Sequence, residues 1–114
     1  MDFQADVDAA LKKLGDTPDV IADSLFNLGV TGSSITRGCP LAVYLQKELQ
    51  MDEIQVGRTL AYTEDALAVM KLPAQNFVTM FDLDGYRFLR GAPKYRHPVV
   101  AKLRRLFSFR QTYV

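Results

Sequence analysis

Three groups of residues in this sequence are of types that could do chemistry. The first is a single cysteine, Cys39, placed directly before Pro40. Proline suits the first position of a helix, so the thiol would sit at a helix start, where backbone amides favour the thiolate. A reactive cysteine also needs exposure and a base, and the only histidine is His97, far away in sequence. The phosphatase arrangement, with arginine six residues after the cysteine, is missing because position 45 is Leu45. Free cysteines are usually small buried hydrophobes, and a structural Cys39 is the expectation.

The second group is the loop from Gly32 to Gly38, which carries Ser33, Ser34, Thr36 and Arg37 ahead of that helix. Hydroxyls, glycines and an arginine before a helix N-terminus can hold an anion. Ser33, Ser34 and Arg37 are the candidate anion contacts. No Gly-Lys-Ser/Thr follows, so it is not a nucleotide loop, and the glycine spacing does not match a dinucleotide fingerprint. A connector turned by its glycines explains the same composition.

The third group is the strongest. Residues 85–114 hold Arg87, Arg90, Lys94, Arg96, Lys102, Arg104, Arg105 and Arg110 with no acid, a net of +8. They are interleaved with Tyr86, Phe88, Tyr95, Phe107, Phe109 and Tyr113. Residues 1–84 hold thirteen Asp/Glu and six Lys/Arg, a net of −7. Such a split points to partners of opposite sign for one part of the chain. At ~100° per residue, Val99, Val100, Leu103, Leu106 and Phe107 share one face, and Lys102, Arg104 and Arg105 fall on the other. An amphipathic basic helix of this kind can neutralise phosphates, lie on an anionic membrane or dock in a protein groove. It can equally be a last core helix with arginines as its wet face.

Other chemistry finds little footing. One Cys and one His leave only carboxylates for a metal, and no Asp/Glu spacing matches a calcium loop. No Gly-x-Ser-x-Gly elbow is present. No metal and no cofactor are expected. The acidic Met1–Asp6 stretch lacks the basic start of a secretory signal, and no apolar run approaches the ~18 residues of a membrane span. A lone cysteine suits a reducing compartment, so the expected location is cytoplasmic.

The elements that must position these groups follow from periodicity. Phe3, Val7, Ala10, Leu11 and Leu14 mark a helix over 3–14, ended by Gly15. Thr17-Pro18 starts a second, with Ile21, Leu25 and Leu28 inward and Gly29 as its stop. Val30 to Gly38 reads as loop. Pro40 opens a third helix to about Leu49, with Leu41, Tyr44, Leu45 and Leu49 inward. Ile54, Val56, Leu60 and Tyr62 alternate, and Ala66–Leu72 reads as the return strand of a hairpin in preference to a helix, which its Ala, Leu and Met would also favour. Pro73 opens a fourth helix with Phe77, Met80 and Phe81 inward. Gly85 to His97 is irregular, and Pro98 starts a fifth helix to about Phe109. The 114 residues, 48% hydrophobic, suit one α+β domain. It is mostly helical, about five helices, with a small antiparallel hairpin around residues 53–72. The plausible seam is Gly91-Ala92-Pro93.

Gly29-Val30-Thr31-Gly32, Gly38-Cys39-Pro40-Leu41-Ala42-Val43-Tyr44-Leu45, and Leu72-Pro73 with Phe77-Val78 and Phe81-Asp82 together resemble a pattern in small proteins of high-GC Gram-positive bacteria and their phages. The resemblance covers roughly residues 28–90 and implies a shared fold, with no activity or site residue to carry over. The expected function is a small non-enzymatic interaction or regulatory protein, whose basic C-terminal helix acts on an acidic protein partner or a second copy. A nucleic-acid-binding protein using the same segment is the alternative, and a small cysteine-dependent enzyme using Cys39 a further one.

Overall fold

The computed structural model describes residues 2–95. The first helix, α1, spans Phe3–Lys12, and Asp2 caps it by accepting the Ala5 N–H at 3.2 Å. Its Val7, Ala10 and Leu11 face inward. In α2 (Pro18–Asn27), the Thr17 hydroxyl accepts the Val20 N–H, and Ile21, Ala22 and Leu25 are buried. The last carbonyls of a helix lack partners within it. Here the Tyr44 hydroxyl donates to the Ala10 carbonyl at 2.7 Å, and the Ser24 hydroxyl donates to the Leu14 carbonyl just beyond α1 at 2.6 Å. Gly29 ends α2 with φ at 72°, a conformation open to glycine.

Val30–Thr31 then forms β1, so the expected loop begins as a strand. The third helix, α3 (Pro40–Leu49), is buried at every position from Pro40 to Leu45. A stripe of Leu41, Tyr44, Leu45 and Leu49 was the expectation, but α1, β1 and further strands enclose the helix on several sides. A helix apolar all round its first turns belongs in the interior. Leu49 is only partly buried.

The alternating run Ile54–Tyr62, expected as the outgoing strand of the hairpin, is two strands. β2 (Gln55–Val56), β3 (Leu60–Tyr62) and β4 (Leu67–Val69) form an antiparallel meander. Gly57 makes the first turn, its N–H bonding the Leu60 carbonyl at 2.8 Å. Pairing sets Leu60 opposite Val69, Ala61 opposite Ala68 and Tyr62 opposite Leu67. Ala61 and Ala68 are buried, while Leu67 and Val69 are exposed on the outer face. At the outer edge of β4 the Gln4 side-chain amide donates to the Val69 carbonyl and accepts its N–H, at 2.8 and 2.9 Å.

The fourth helix, α4 (Leu72–Asp82), buries Ala74, Phe77, Val78 and Phe81. Met80 was expected inward and is 42% exposed. At ~100° per residue it lies well off the centre of the stripe that those four residues define, and Val78 fills the flank on the core side.

The stretch after α4 is more ordered than its composition suggested. A short 3-10 helix spans Arg87–Leu89, and β5 (Lys94–Tyr95) pairs antiparallel with β1, Val30 opposite Tyr95 and Thr31 opposite Lys94. Leu89 is fully buried. The supposed seam runs alongside β1: Gly91 N–H bonds the Gly32 carbonyl at 3.1 Å, and the Thr31 hydroxyl donates to the Ala92 carbonyl at 2.7 Å. The architecture is α+β, with four α-helices and two small antiparallel sheets among the described residues. The fifth helix expected from Pro98 lies outside them.

Candidate interaction surface

Cys39 does occupy the start of α3, but it is only 3% exposed. Burial pushes its thiol up to about 11, overriding the Leu41 and Ala42 amides that favour the thiolate; Asp82 adds to the rise. At neutral pH the group is a protonated thiol. His97 lies outside the described residues.

The loop ahead of α3 is folded back on itself. Ser33 N–H bonds the Gly38 carbonyl, while the Gly38 and Cys39 N–H groups bond the Ile35 carbonyl. A Cβ at Gly32 would fall 2.2 Å from the Gly38 carbonyl oxygen, so only glycine permits this closure. The Thr36 hydroxyl donates to Gln55, and the Ser34 hydroxyl accepts from Arg90 at 2.9 Å. Arg37 is exposed, and its carbonyl accepts from Gln46. The loop's contacts are those of a fastened connector between β1 and α3.

The cationic residues separate into distinct roles. Arg87 projects into solvent and pairs with Asp84 at 2.8 Å. Arg90 turns inward. Its guanidinium lies 4.3 Å from the Phe81 ring centroid, within cation–π range. It donates to the Phe81 carbonyl and to Ser34. Its Nε lies 3.2 Å from Asp84 Oδ1, an ion pair without hydrogen-bond geometry. Arg90 thereby fastens the end of α4 to the loop before α3. Lys94 is exposed on β5. Arg96, Lys102, Arg104, Arg105 and Arg110 lie outside the described residues.

The same segment builds an aromatic face. The Tyr86 ring stacks on Phe77 with centroids 5.3 Å apart, and Phe88 meets Phe26 edge-on at 5.4 Å. The Tyr86 hydroxyl donates to Asp19 at 2.7 Å and touches the Met80 sulfur at 3.5 Å. Desolvation, then the Asp19 hydrogen bond and the charges of Asp19 and Asp23, hold the Tyr86 phenol above its ordinary range. Phe88 is 48% exposed and Met80 42%. The result is a half-exposed apolar patch bordered by the carboxylates of α2. Sequence reading noted Tyr86 and Phe88 only as companions of the arginines; their tie to Asp19 and Phe26 spans more than sixty residues and leaves no local signal.

Elsewhere a depression of about 160 Å³ lies between α1 and α4, with Asp8, Lys12, Asp16 and Lys71 around an apolar floor of Leu11, Ile21 and Ala74. Among the described residues no group of three or more His, Cys, Asp or Glu is placed to hold a metal ion, and no helix is long and apolar enough to cross a membrane. No protein-family model, curated protein or solved structure matches the chain.

Proposed function

We propose that this chain is a small non-enzymatic interaction or regulatory protein that uses its basic C-terminal segment on an acidic protein face, that of a partner or of a second copy. One observation carries the reading. Arg87 and Arg90 both pair with Asp84, whereas residues 96–114 add five Lys/Arg and no Asp/Glu. Residues 2–95 hold thirteen acids against nine Lys/Arg, an acidic body of the kind the basic segment of a second copy would meet. The protonated, buried Cys39 weighs against the cysteine-enzyme alternative. A bacterial or phage regulatory role in the cytoplasm fits the resemblance over residues 28–90 and the lone cysteine.

The test is a salt series on self-association and nucleic-acid affinity, with wild type beside a Lys102/Arg104/Arg105→Ala variant. The variant is expected to lose a protein contact. Binding of a defined nucleic acid that falls by roughly 0.9 log units per log unit of salt for each phosphate contact, and that the variant lacks, refutes the reading.

A further inference from the structure

We infer that the half-exposed aromatic face formed by α2 and the Arg87–Leu89 turn is the docking site of this chain's own residues 96–114. The inference rests on the reading of that segment as a protein-binding element and names its first partner. Three observations support it.

The face has the matching chemistry. Phe88 and Met80 present half-exposed apolar surface, with the Phe26 and Tyr86 rings beside them. Asp19 and Asp23, both exposed, border it along α2. The segment has the complement: an apolar face of Val99, Val100, Leu103, Leu106 and Phe107, no acid, and Lys102 and Arg104 falling about 100° to either side of its centre at ~100° per residue. With that face on the rings, the two cations would lie on the sides of Asp19 and Asp23. Asp84 and Arg87, also at this face, pair with each other and add little net charge.

The point of departure is right. Tyr95 lines one shallow depression together with Asn27 and Leu28, at the end of α2. The chain that follows can run back along α2, past Asp23 towards Asp19. The distance is short: ten residues of α2 span about 15 Å, and the nineteen residues after Tyr95 cover more than that even if wholly helical. Leu67 and Val69 on the outer sheet are also exposed, on a strand that contacts α1.

Covalent attachment makes the docking intramolecular, at an effective concentration in the millimolar range for a short flexible connection. An acidic partner therefore competes with the chain's own acids for the same cations.

The full chain carrying Ser108→Cys accepts a nitroxide, since buried Cys39 is poorly accessible. Backbone amide signals are then read in an isotope-labelled sample, alone and diluted with unlabelled, nitroxide-free chain. Selective loss of the Asp19–Asn27 and Arg87–Leu89 signals that survives dilution is expected. Asp23→Lys should restore them, and Lys102→Glu/Arg104→Glu in the same chain should abolish them again. Phe88→Ala should weaken the effect with the rest of the spectrum unchanged. Loss only when the nitroxide is on a different chain overturns this docking in favour of a second copy, while leaving the interaction reading intact. Loss at Leu67–Val69, uniform loss or none overturns it outright, and the salt-series association measurement then judges the interaction reading independently.

Discussion

Leu89→Ala tests whether the start of the basic segment is part of the core. Leu89 is fully buried, and its carbonyl accepts the Gly32 N–H at 2.8 Å. Truncating a buried leucine costs about 2–5 kcal/mol, more where the surroundings cannot collapse into the space. Here the backbone on either side is tied to β1 through Gly32, so little collapse is available and the upper half of that range is expected. A domain of this size has a total stability of roughly 5–15 kcal/mol. The substitution should therefore move the urea midpoint far down with the slope unchanged, and lower Tm by on the order of 10 °C or more. Phe88→Ala, next door but half exposed, should cost about 1 kcal/mol, the value for average substitutions. Equilibrium unfolding followed by far-UV circular dichroism reads both. If Leu89→Ala costs less than Phe88→Ala, the 3-10 turn is an appendage and the core assignment is wrong.

Two further predictions rest on single polar groups. Tyr44→Phe removes the buried hydroxyl that serves the Ala10 carbonyl and should cost about 1–3 kcal/mol, because a buried acceptor is left unpaired; unchanged stability in urea would show that water replaces the bond. Cys39 in the folded chain should resist alkylation at neutral pH and react as the chain unfolds, and Cys39→Ser should keep function with a modest loss of stability. Its folded-state pKa is raised, so the stabilisation is complete below pH 9 and declines as the pH climbs towards about 11. Rapid alkylation of the native state at pH 7, or stability that rises across that alkaline window, contradicts this.

Local signals carried the helices. The starts read at Phe3, Thr17-Pro18, Pro40 and Pro73 fall within a residue of those in the structure, the last three because caps and proline act through neighbouring backbone. Alternation around Ile54–Tyr62 announced strands, though Gly57-Arg58 in its middle makes a turn between two of them. What escaped was non-local. Val30–Thr31 is a strand only because Lys94–Tyr95 lies beside it, and two residues are too few to show a period. Arg90 looked like one more basic side chain until Phe81 and Asp84 were seen around it. The Cys39 position at a helix start was legible; the burial that decides its chemistry was not. Of the candidate cations, Arg87, Arg90 and Lys94 lie among the described residues, and only the first two are tied to an acid there.

The pairing of β1 with β5 has a consequence for the order in which the molecule is made. β1 is synthesised early, yet its partner lies beyond Ala92, which is 61 residues after Thr31. Until that stretch emerges, Val30 and Thr31 present an unpaired edge, and α3 lacks part of its cover. Loop-closure entropy rises only slowly with length, so the finished body loses little by this arrangement. The nascent chain bears the consequence instead: any product stopped or cut before Leu89 lacks both the residue that plugs the core and the strand that seals it. Such fragments should be drawn to chaperones and proteases rather than persist as partial domains.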